Sequence, residues 1–502
     1  MRLKIASRKS DLARYQAYRV GEALARYHPQ LEIEYLFRES LGDKNQQDPL
    51  WKMPEKGVFT QDFHQDLMNG TVDLVVHSWK DLPTDMPKGT QIAATLPRAD
   101  QRDLLVVPRS ERAKNLNRWV ILSSSPRRAY NLGGSLAELL PQAPEQITFA
   151  DVRGNIPTRF RKLFSEGAQG LILAKAALDR LLSAPEPEFR SVQGELRELL
   201  SRCDWMVLPL GLNPSAAAQG ALAVEVREDR TDVLSLLAPI NHGPTFRAVM
   251  EERKILKSHG GGCHQKIGVS VLPIRDGSVL LLQGKTDSGQ VLGSASFRSS
   301  QAPFPRAKSS NEAFPHSMEQ ATWFERRELR TAFVGEGKGV WITKALAVGK
   351  SCDLRGAACL WTSGLETWKA LARLGHWIHG SAESLGEAIP DVEALLGESV
   401  EWFKLGHTQG EETPGLRLVS TYELVPKAQR PQVGSKTHFY WTSASSFRQA
   451  LKDEPGIREA FHGTGLGHTY DLVCRELGGS DRVRAFLSFE EWKKSVFPEE
   501  AQ

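Results

Sequence analysis

No run of apolar residues in the 502-residue chain approaches the roughly 20 needed to cross a bilayer as a helix. The N-terminal stretch Met-Arg-Leu-Lys-Ile-Ala-Ser-Arg-Lys-Ser lacks the apolar core of an export signal, so a cytoplasmic protein with no membrane partner is expected. Cysteine is scarce. Cys203, Cys263, Cys352, Cys359 and Cys474 are scattered, odd in number and form no CxxC pair, which argues against a disulfide framework or a zinc site. A dominant charge is also missing: 64 Lys and Arg against 60 Asp and Glu leave a net +4, and no overall basic character points to nucleic acid. Any anion must be held by a local cluster. Otherwise the composition is ordinary, with 40% hydrophobic and 25% charged residues, and the length suggests three or four units of ~100–200 residues.

The first two hundred residues alternate strand and helix signals. Ser10 precedes a helix with Leu12, Ala13, Ala17, Val20 and Leu24 on one face, ending before Pro29. Residues 31–37 alternate like a half-buried strand, Thr60 precedes a short helix with Phe63 and Leu67 inward, and 73–77 read as a buried strand. Trp119–Leu122 and Leu171–Ala174 are further strands, and 153–164 contain a basic helix start. This rhythm predicts α/β domains with mixed or parallel sheets. From 227 to about 300 a helix near Phe246–Leu256, a glycine run and strands with turns at Asp276-Gly277 and Asp287-Ser288-Gly289 predict a small α+β unit. Ser, Pro, Ala and Lys at 299–318 read as a linker, or as a loop plus a short terminal helix. Beyond 335 the chain echoes itself: Trp361-Thr-Ser363, Ala370-Leu371 and His379-Gly380 return as Trp441-Thr-Ser443, Ala450-Leu451 and His462-Gly463. Two similar α/β halves are expected.

Three constellations carry chemistry. Gly260-Gly-Gly-Cys263 frees the backbone and leaves a thiol accessible as nucleophile, redox centre or covalent tether. Val75-Val-His-Ser-Trp-Lys-Asp-Leu-Pro83 ends a strand on a Lys80–Asp81 pair, where a sheet opens its ligand crevice. A carboxylate there can stabilise a cation and handle protons. Ser123-Ser-Ser-Pro-Arg-Arg128 and Arg153-Gly-Asn-Ile-Pro-Thr-Arg159, with Arg8, Ser10 and Arg180, supply guanidinium groups that bind carboxylates bidentately. So many arginines imply a ligand with many carboxylates.

These segments together resemble hydroxymethylbilane synthase, also called porphobilinogen deaminase, over roughly residues 2–300. The resemblance rests on Ile5-Ala-Ser-Arg-Lys-Ser10, Lys56-Gly-Val-Phe59, Val76-His-Ser-Trp-Lys-Asp81, Ser124-Ser-Pro-Arg-Arg128, Arg153-Gly-Asn155 with Thr158-Arg159, Gln219-Gly-Ala221, Glu252-Arg253 and Gly261-Gly-Cys263. It implies a transferase that joins four porphobilinogen units, each losing ammonia, and releases hydroxymethylbilane by hydrolysis. Cys263 would tether a dipyrromethane cofactor through a thioether, and Asp81 would stabilise the azafulvene-type cations. Lys80, Ser125, Arg127, Arg128 and Arg159 would contact the cofactor. Arg8, Ser10, Gln16, Arg153, Asn155, Arg180 and Gln219 would contact substrate and growing chain. Lys56 and Phe59 would belong to a loop covering the site. No metal ligand is implied. Leu122 stands where the family usually has Gly, Pro126 and Pro157 sit inside the arginine motifs, and Gly211–Ala218 is longer than expected.

The family's fold implies two periplasmic-binding-protein-like α/β domains with a cleft between them, a small α+β domain, and here a C-terminal α/β extension. The expected bounds are 1–98 plus 203–226, then 99–202, then 227–305, a linker at 306–334, and 335–502. The last unit resembles, more weakly, uroporphyrinogen-III synthase through Val340-Trp-Ile-Thr343, Trp441-Thr-Ser443 and Gly463-Thr-Gly-Leu-Gly-His-Thr-Tyr470, with Thr442 and Tyr470 as candidates. That implies cyclisation of hydroxymethylbilane to uroporphyrinogen III. The alternative is an inactive unit, structural or docking other tetrapyrrole-pathway enzymes. A ligand-binding protein of the periplasmic type is a competing reading of the first 300 residues, against which Asp81 and Cys263 discriminate.

Overall fold

A computed structural model describes residues 2–39, 61–260 and 265–497. Two compact units emerge, Met1–Pro273 with Val279–Ser294, and Ile274–Ser278 with Ala295–Gln502. Among the described residues no helix is long and apolar enough to cross a membrane.

The first unit contains two five-stranded α/β sheets. One is ordered β2-β1-β3-β10-β4, from β1 (Arg2–Arg8), β2 (Glu32–Arg38), β3 (Leu74–Ser78), β4 (Thr90–Ala94) and β10 (Leu222–Arg227). Strands β1, β2 and β3 run parallel and β10 antiparallel. Helix α1 (Asp11–Tyr27) lays Ala17, Val20 and Leu24 on this sheet, following the spacing in the sequence, and α2 (Gln61–Met68) buries Phe63 and Leu67. Burying each of Val20, Leu24, Phe63 and Leu67 contributes about 1.5–3 kcal/mol.

The other sheet is ordered β7-β6-β8-β5-β9, from β5 (Asp103–Pro108), β6 (Arg118–Leu122), β7 (Gln146–Ala150), β8 (Gly170–Ala174) and β9 (Cys203–Val207). Its helices are α3 (Pro126–Leu132), α4 (Ile156–Ser165), α5 (Lys175–Leu182) and α6 (Arg190–Ser201). Because β9 pairs with β5, residues 203–207 belong to this sheet rather than to the first domain as expected. Pro126 and Pro157 fall in the first turns of α3 and α4, where a fixed φ suits the helix and no N–H is lost.

The third element is α7 (Gly243–Ser258) with a sheet ordered β11-β12-β13, from β11 (Lys266–Ile274), β12 (Gly277–Lys285) and β13 (Val291–Ser299). Residues 227–240 do not join it. Val233, Leu237 and Ile240 pack into the core of the first sheet.

The second unit is doubled. One half has a sheet ordered β15-β22-β21-β17-β19-β20, from β15 (Phe324–Glu328), β17 (Gly339–Ile342), β19 (Cys359–Thr362), β20 (Gly380–Ser381), β21 (Trp402–His407) and β22 (Leu416–Pro426), and the short strands β16 (Phe333–Val334) and β18 (Cys352–Asp353) pair with each other. The other is ordered β14-β23-β24-β25, from β14 (Ala313–Phe314), β23 (His438–Trp441), β24 (Phe461–Thr464) and β25 (Val483–Ala485). The echo is a strand–helix–strand unit made twice: β19, α8 (Leu365–Arg373), β20, then β23, α9 (Ala444–Asp453), β24. Its His-Gly pair has a packing reason. A side chain at Gly380 would strike the Trp361 ring, and one at Gly463 the Trp492 ring. The expected linker at 306–334 is instead built into these sheets as β14 and β15, with Phe314 and Trp323 buried in the second half's core.

Candidate functional site

The predicted residues of the first unit gather at the carboxyl ends of parallel strands, the usual place for a ligand in such sheets. Arg8 ends β1, and Ser10 stands at the N-cap position of α1 without capping it through its side chain. Past β3 a single 3₁₀ turn, Trp79–Asp81, carries Lys80 and Asp81. Gln16, buried on α1, accepts a hydrogen bond from Ser78 Oγ at 3.1 Å, so α1 closes on the end of β3. In the other sheet β6 leads to Ser125 and α3, β7 to Arg153 and α4, and β8 to α5, which carries Arg180.

Arg127 and Arg128 are both buried, and the reason is Asp103, which the sequence reading did not single out. Its carboxylate receives Arg127 Nη2 at 2.8 Å, Arg128 Nη2 at 2.7 Å, Asn213 Nδ2 at 2.8 Å and Gln219 Nε2 at 2.8 Å. Burial raises the pKa of Asp103, but the two guanidiniums outweigh it and hold the carboxyl well below its ordinary range. Arg127 also donates to Asn213 Oδ1 and the Pro214 carbonyl, so it braces the fold. The long Gly211–Ala218 segment thus supplies a plug, with Asn213 and Ser215 fully buried. Gln219 is spent on Asp103 and the Gln101 carbonyl, and Asn155 caps α4 by accepting from Thr158 N at 3.0 Å.

Arg128 behaves differently. Its Nε is buried and has no hydrogen-bond partner among the described residues. Lys80 lies within its field. Burial lowers the Lys80 pKa, Asp81 opposes that, and Arg128 and Arg159 lower it further. Arg159, bonded to the Gly154 carbonyl, is pushed down to about 10 by burial and by Arg128 and Arg153, with Asp81 opposing. Lys80 and Arg159 therefore face the exposed carboxylate of Asp81, with Arg128 next to both of them and Arg153 next to Arg159. Arg180 stands apart beside Tyr15, donating to the Gly220 carbonyl at 2.6 Å, and burial lowers its pKa to about 10. Lys175, fully buried against Asp179 and Asp100, was likewise missed. Cys263, Lys56 and Phe59 lie outside the described residues.

The cleft fits a polycarboxylate pyrrole group. Lys80, Arg128 and Arg159 lie close together beside Asp81, and among the described residues the buried Arg128 Nε has no acceptor. In the second unit Thr442 is exposed at the end of β23. Tyr470 is consumed: its hydroxyl donates to Asp276 Oδ2 at 3.0 Å and accepts from Gln301 Nε2 at 3.1 Å. A different group converges there, with Thr343 past β17, the His407 and Tyr422 rings 5.7 Å apart, and Arg326 and Lys344.

Residues 3–235 match the family model described as porphobilinogen deaminase, dipyromethane cofactor binding domain. A porphobilinogen deaminase of Syntrophomonas wolfei subsp. wolfei is 36% identical over 56% of this chain and 84% of its own length. Those of Chromobacterium violaceum and Nostoc sp. are each 36% identical over 56% of this chain, covering 82% and 80% of themselves. Each of these relatives therefore matches little more than half of the chain.

Proposed function

Since the chain belongs to the porphobilinogen deaminase family, we propose that its first unit is a hydroxymethylbilane synthase whose acid is Asp81 and whose cofactor is tethered to Cys263. The dipyrromethane, when bound, supplies the pyrrole end onto which porphobilinogen is joined. The observation that carries the reading is the placing of Lys80 and Arg159 against the exposed carboxylate of Asp81, with Arg128 and Arg153 beside those cations and Arg128 Nε without a partner among the described residues. Each pyrrole brings an acetate and a propionate. Arg128, Arg153 and Arg159 suit these as bidentate partners, and Lys80 as a point charge. Arg127 acts one step back, bracing the plug through Asn213 and Pro214 and sharing the Asp103 carboxylate with Arg128. Asp81 is the anion facing the reacting pyrrole. As ammonia leaves porphobilinogen, positive charge develops on that ring. A carboxylate beside it stabilises the charge and exchanges the pyrrole N–H proton.

A second reading concerns the other unit, which we infer cyclises the linear product to uroporphyrinogen III. The support is the convergence of Thr343, His407 and Tyr422 with Arg326 and Lys344 at the carboxyl ends of β17 and β21. Burial lowers the pKa of His407, and its Nδ1 has no partner among the described residues.

Intact mass of the purified chain beside Cys263→Ala tests the first reading. The wild type should carry the added mass of two pyrrole units and the variant none. A wild type that stays unmodified after incubation with porphobilinogen would overturn it. The ring isomer formed in the same incubation tests the second reading: isomer III supports cyclisation, and isomer I alone refutes it.

A further inference from the structure

A three-residue 3₁₀ turn is a weak element by itself, yet Trp79–Asp81 has to hold the reacting carboxylate still. Its grip comes from α7. Phe246 tilts against Trp79 with ring centroids 5.3 Å apart. Val249 joins Trp79 and Leu82 in one buried cluster. Arg253 donates from Nη1 to the carbonyls of Trp79 at 3.4 Å and Leu82 at 3.3 Å, and from Nη2 to that of Pro83. Lys257 pairs with Asp85 at 2.5 Å. Residues 246, 249, 253 and 257 form one helical stripe, and that stripe follows the chain from Trp79 to Asp85.

The three carbonyls taken by Arg253 bracket Asp81, one before it and two after. A planar guanidinium can hold several acceptors at once, whereas an ammonium is a single point. On the other flank Trp79 N donates to the Ala221 carbonyl at 3.1 Å. Glu252, the next residue of α7, fixes the helix itself. It takes Arg98 bidentately at 2.7 and 2.9 Å and accepts from Ala218 N and Val271 N, each at 2.8 Å. The helix ends at Ser258, five positions before Cys263.

We propose that Arg253 is a positioning residue for Asp81, tying the catalytic carboxylate to the helix that leads into the cofactor thiol. The proposal rests on the roles given above to Asp81 and Cys263. A misplacement of about 1 Å can cost on the order of a hundredfold in rate.

The test compares full-length wild type with Arg253→Lys, Arg253→Met, Phe246→Leu and, as a control on the exposed side of the same helix, Met250→Ala. Intact mass reads priming, a thermal scan reads folding, and kcat and KM for porphobilinogen are followed against pH. For Arg253→Lys, normal priming is expected, with kcat down about tenfold, KM within about twofold and the acid limb of the kcat profile displaced. Arg253→Met should lose more, Phe246→Leu about threefold, and Met250→Ala nothing. A primed, folded Arg253→Lys with wild-type kcat and an unmoved acid limb overturns the proposal. If neither Arg253 variant folds, an undiminished kcat in Phe246→Leu overturns it. An unprimed, inactive wild type would instead bring down the synthase reading beneath it.

Discussion

Replacing Asp103 by Asn changes one atom and removes the charge on which two buried guanidiniums depend. Four donors point at the carboxylate at 2.7–2.8 Å. An amide offers one oxygen, and its NH2 would face donors in place of acceptors. Asp103 is about 1% exposed, so water cannot substitute. Breaking a buried pair in this way costs about 3–5 kcal/mol. At about 2–4 °C per kcal/mol for a unit of this size, the transition of the first unit should fall by roughly 6–20 °C. Calorimetry of full-length wild type and Asp103→Asn at pH 7 measures it. The pH dependence gives a second check. The folded carboxyl lies below the unfolded value of about 3.9, so its contribution is complete above about pH 4 and is lost as pH falls further. The gap between the two proteins should therefore narrow below pH 4. A fall smaller than about 2 °C at pH 7, or a gap that widens on acidification, would refute the reasoning.

Two further outcomes follow from local geometry. His462 accepts from Trp441 Nε1 at 2.9 Å and faces the Ile457 carbonyl at 3.0 Å, which fixes a neutral ring with its proton on Nε2, and burial lowers its pKa to about 4. The unfolded chain takes up a proton near 6.5 that the folded one refuses. The second unit should thus keep full stability above about pH 6.5 and lose about 3 kcal/mol as pH falls toward 4. Denaturant titrations at pH 7.5 and 4.5 read this, and equal midpoints would count against it. Gly220 has φ +85°, and an added Cβ would lie 2.5 Å from the Ala99 carbonyl oxygen. Gly220→Ala should cost the first unit at least about 2 kcal/mol in the same titration; a neutral effect would mean the two connecting segments are not held side by side.

Much of the site was readable because its residues follow strand ends. A basic pair after Ser-Ser-Ser or after a Gly turn announces itself locally, and the strand–helix rhythm places it at the sheet's rim. Asp103 was not readable. It stands at the head of the apolar strand Asp103–Pro108, and its partners Arg127 and Arg128 come 24 and 25 positions later. The Arg98–Glu252 pair spans 154 positions and lies in no local pattern. Lys175 directly follows the strand signal Leu171–Ala174 with nothing local to mark it, and it is wholly buried. At 306–334, Ser and Pro hid the meaning of Phe314 and Trp323, two large apolar side chains that a true linker would have no means of covering. The echo in the second unit was legible since each copy needs a glycine beside a tryptophan ring. The bond from Tyr470 to Asp276 was not legible because Asp276 belongs to a distant turn.

The place of β10 has a consequence for how the chain comes into being. It lies between β3 and β4 in the first sheet, yet it follows the whole of the second sheet in the chain. A ribosome adding about 5–20 residues per second delivers β5 to β9 before the strand that completes β1 to β4. The sheet encoded second is the first that can be finished, and the sheet encoded first must wait with β3 and β4 unjoined. Chains ending at Val207 and released from the ribosome would therefore be expected to shield Trp119 and Trp205 while Trp79 is still in water.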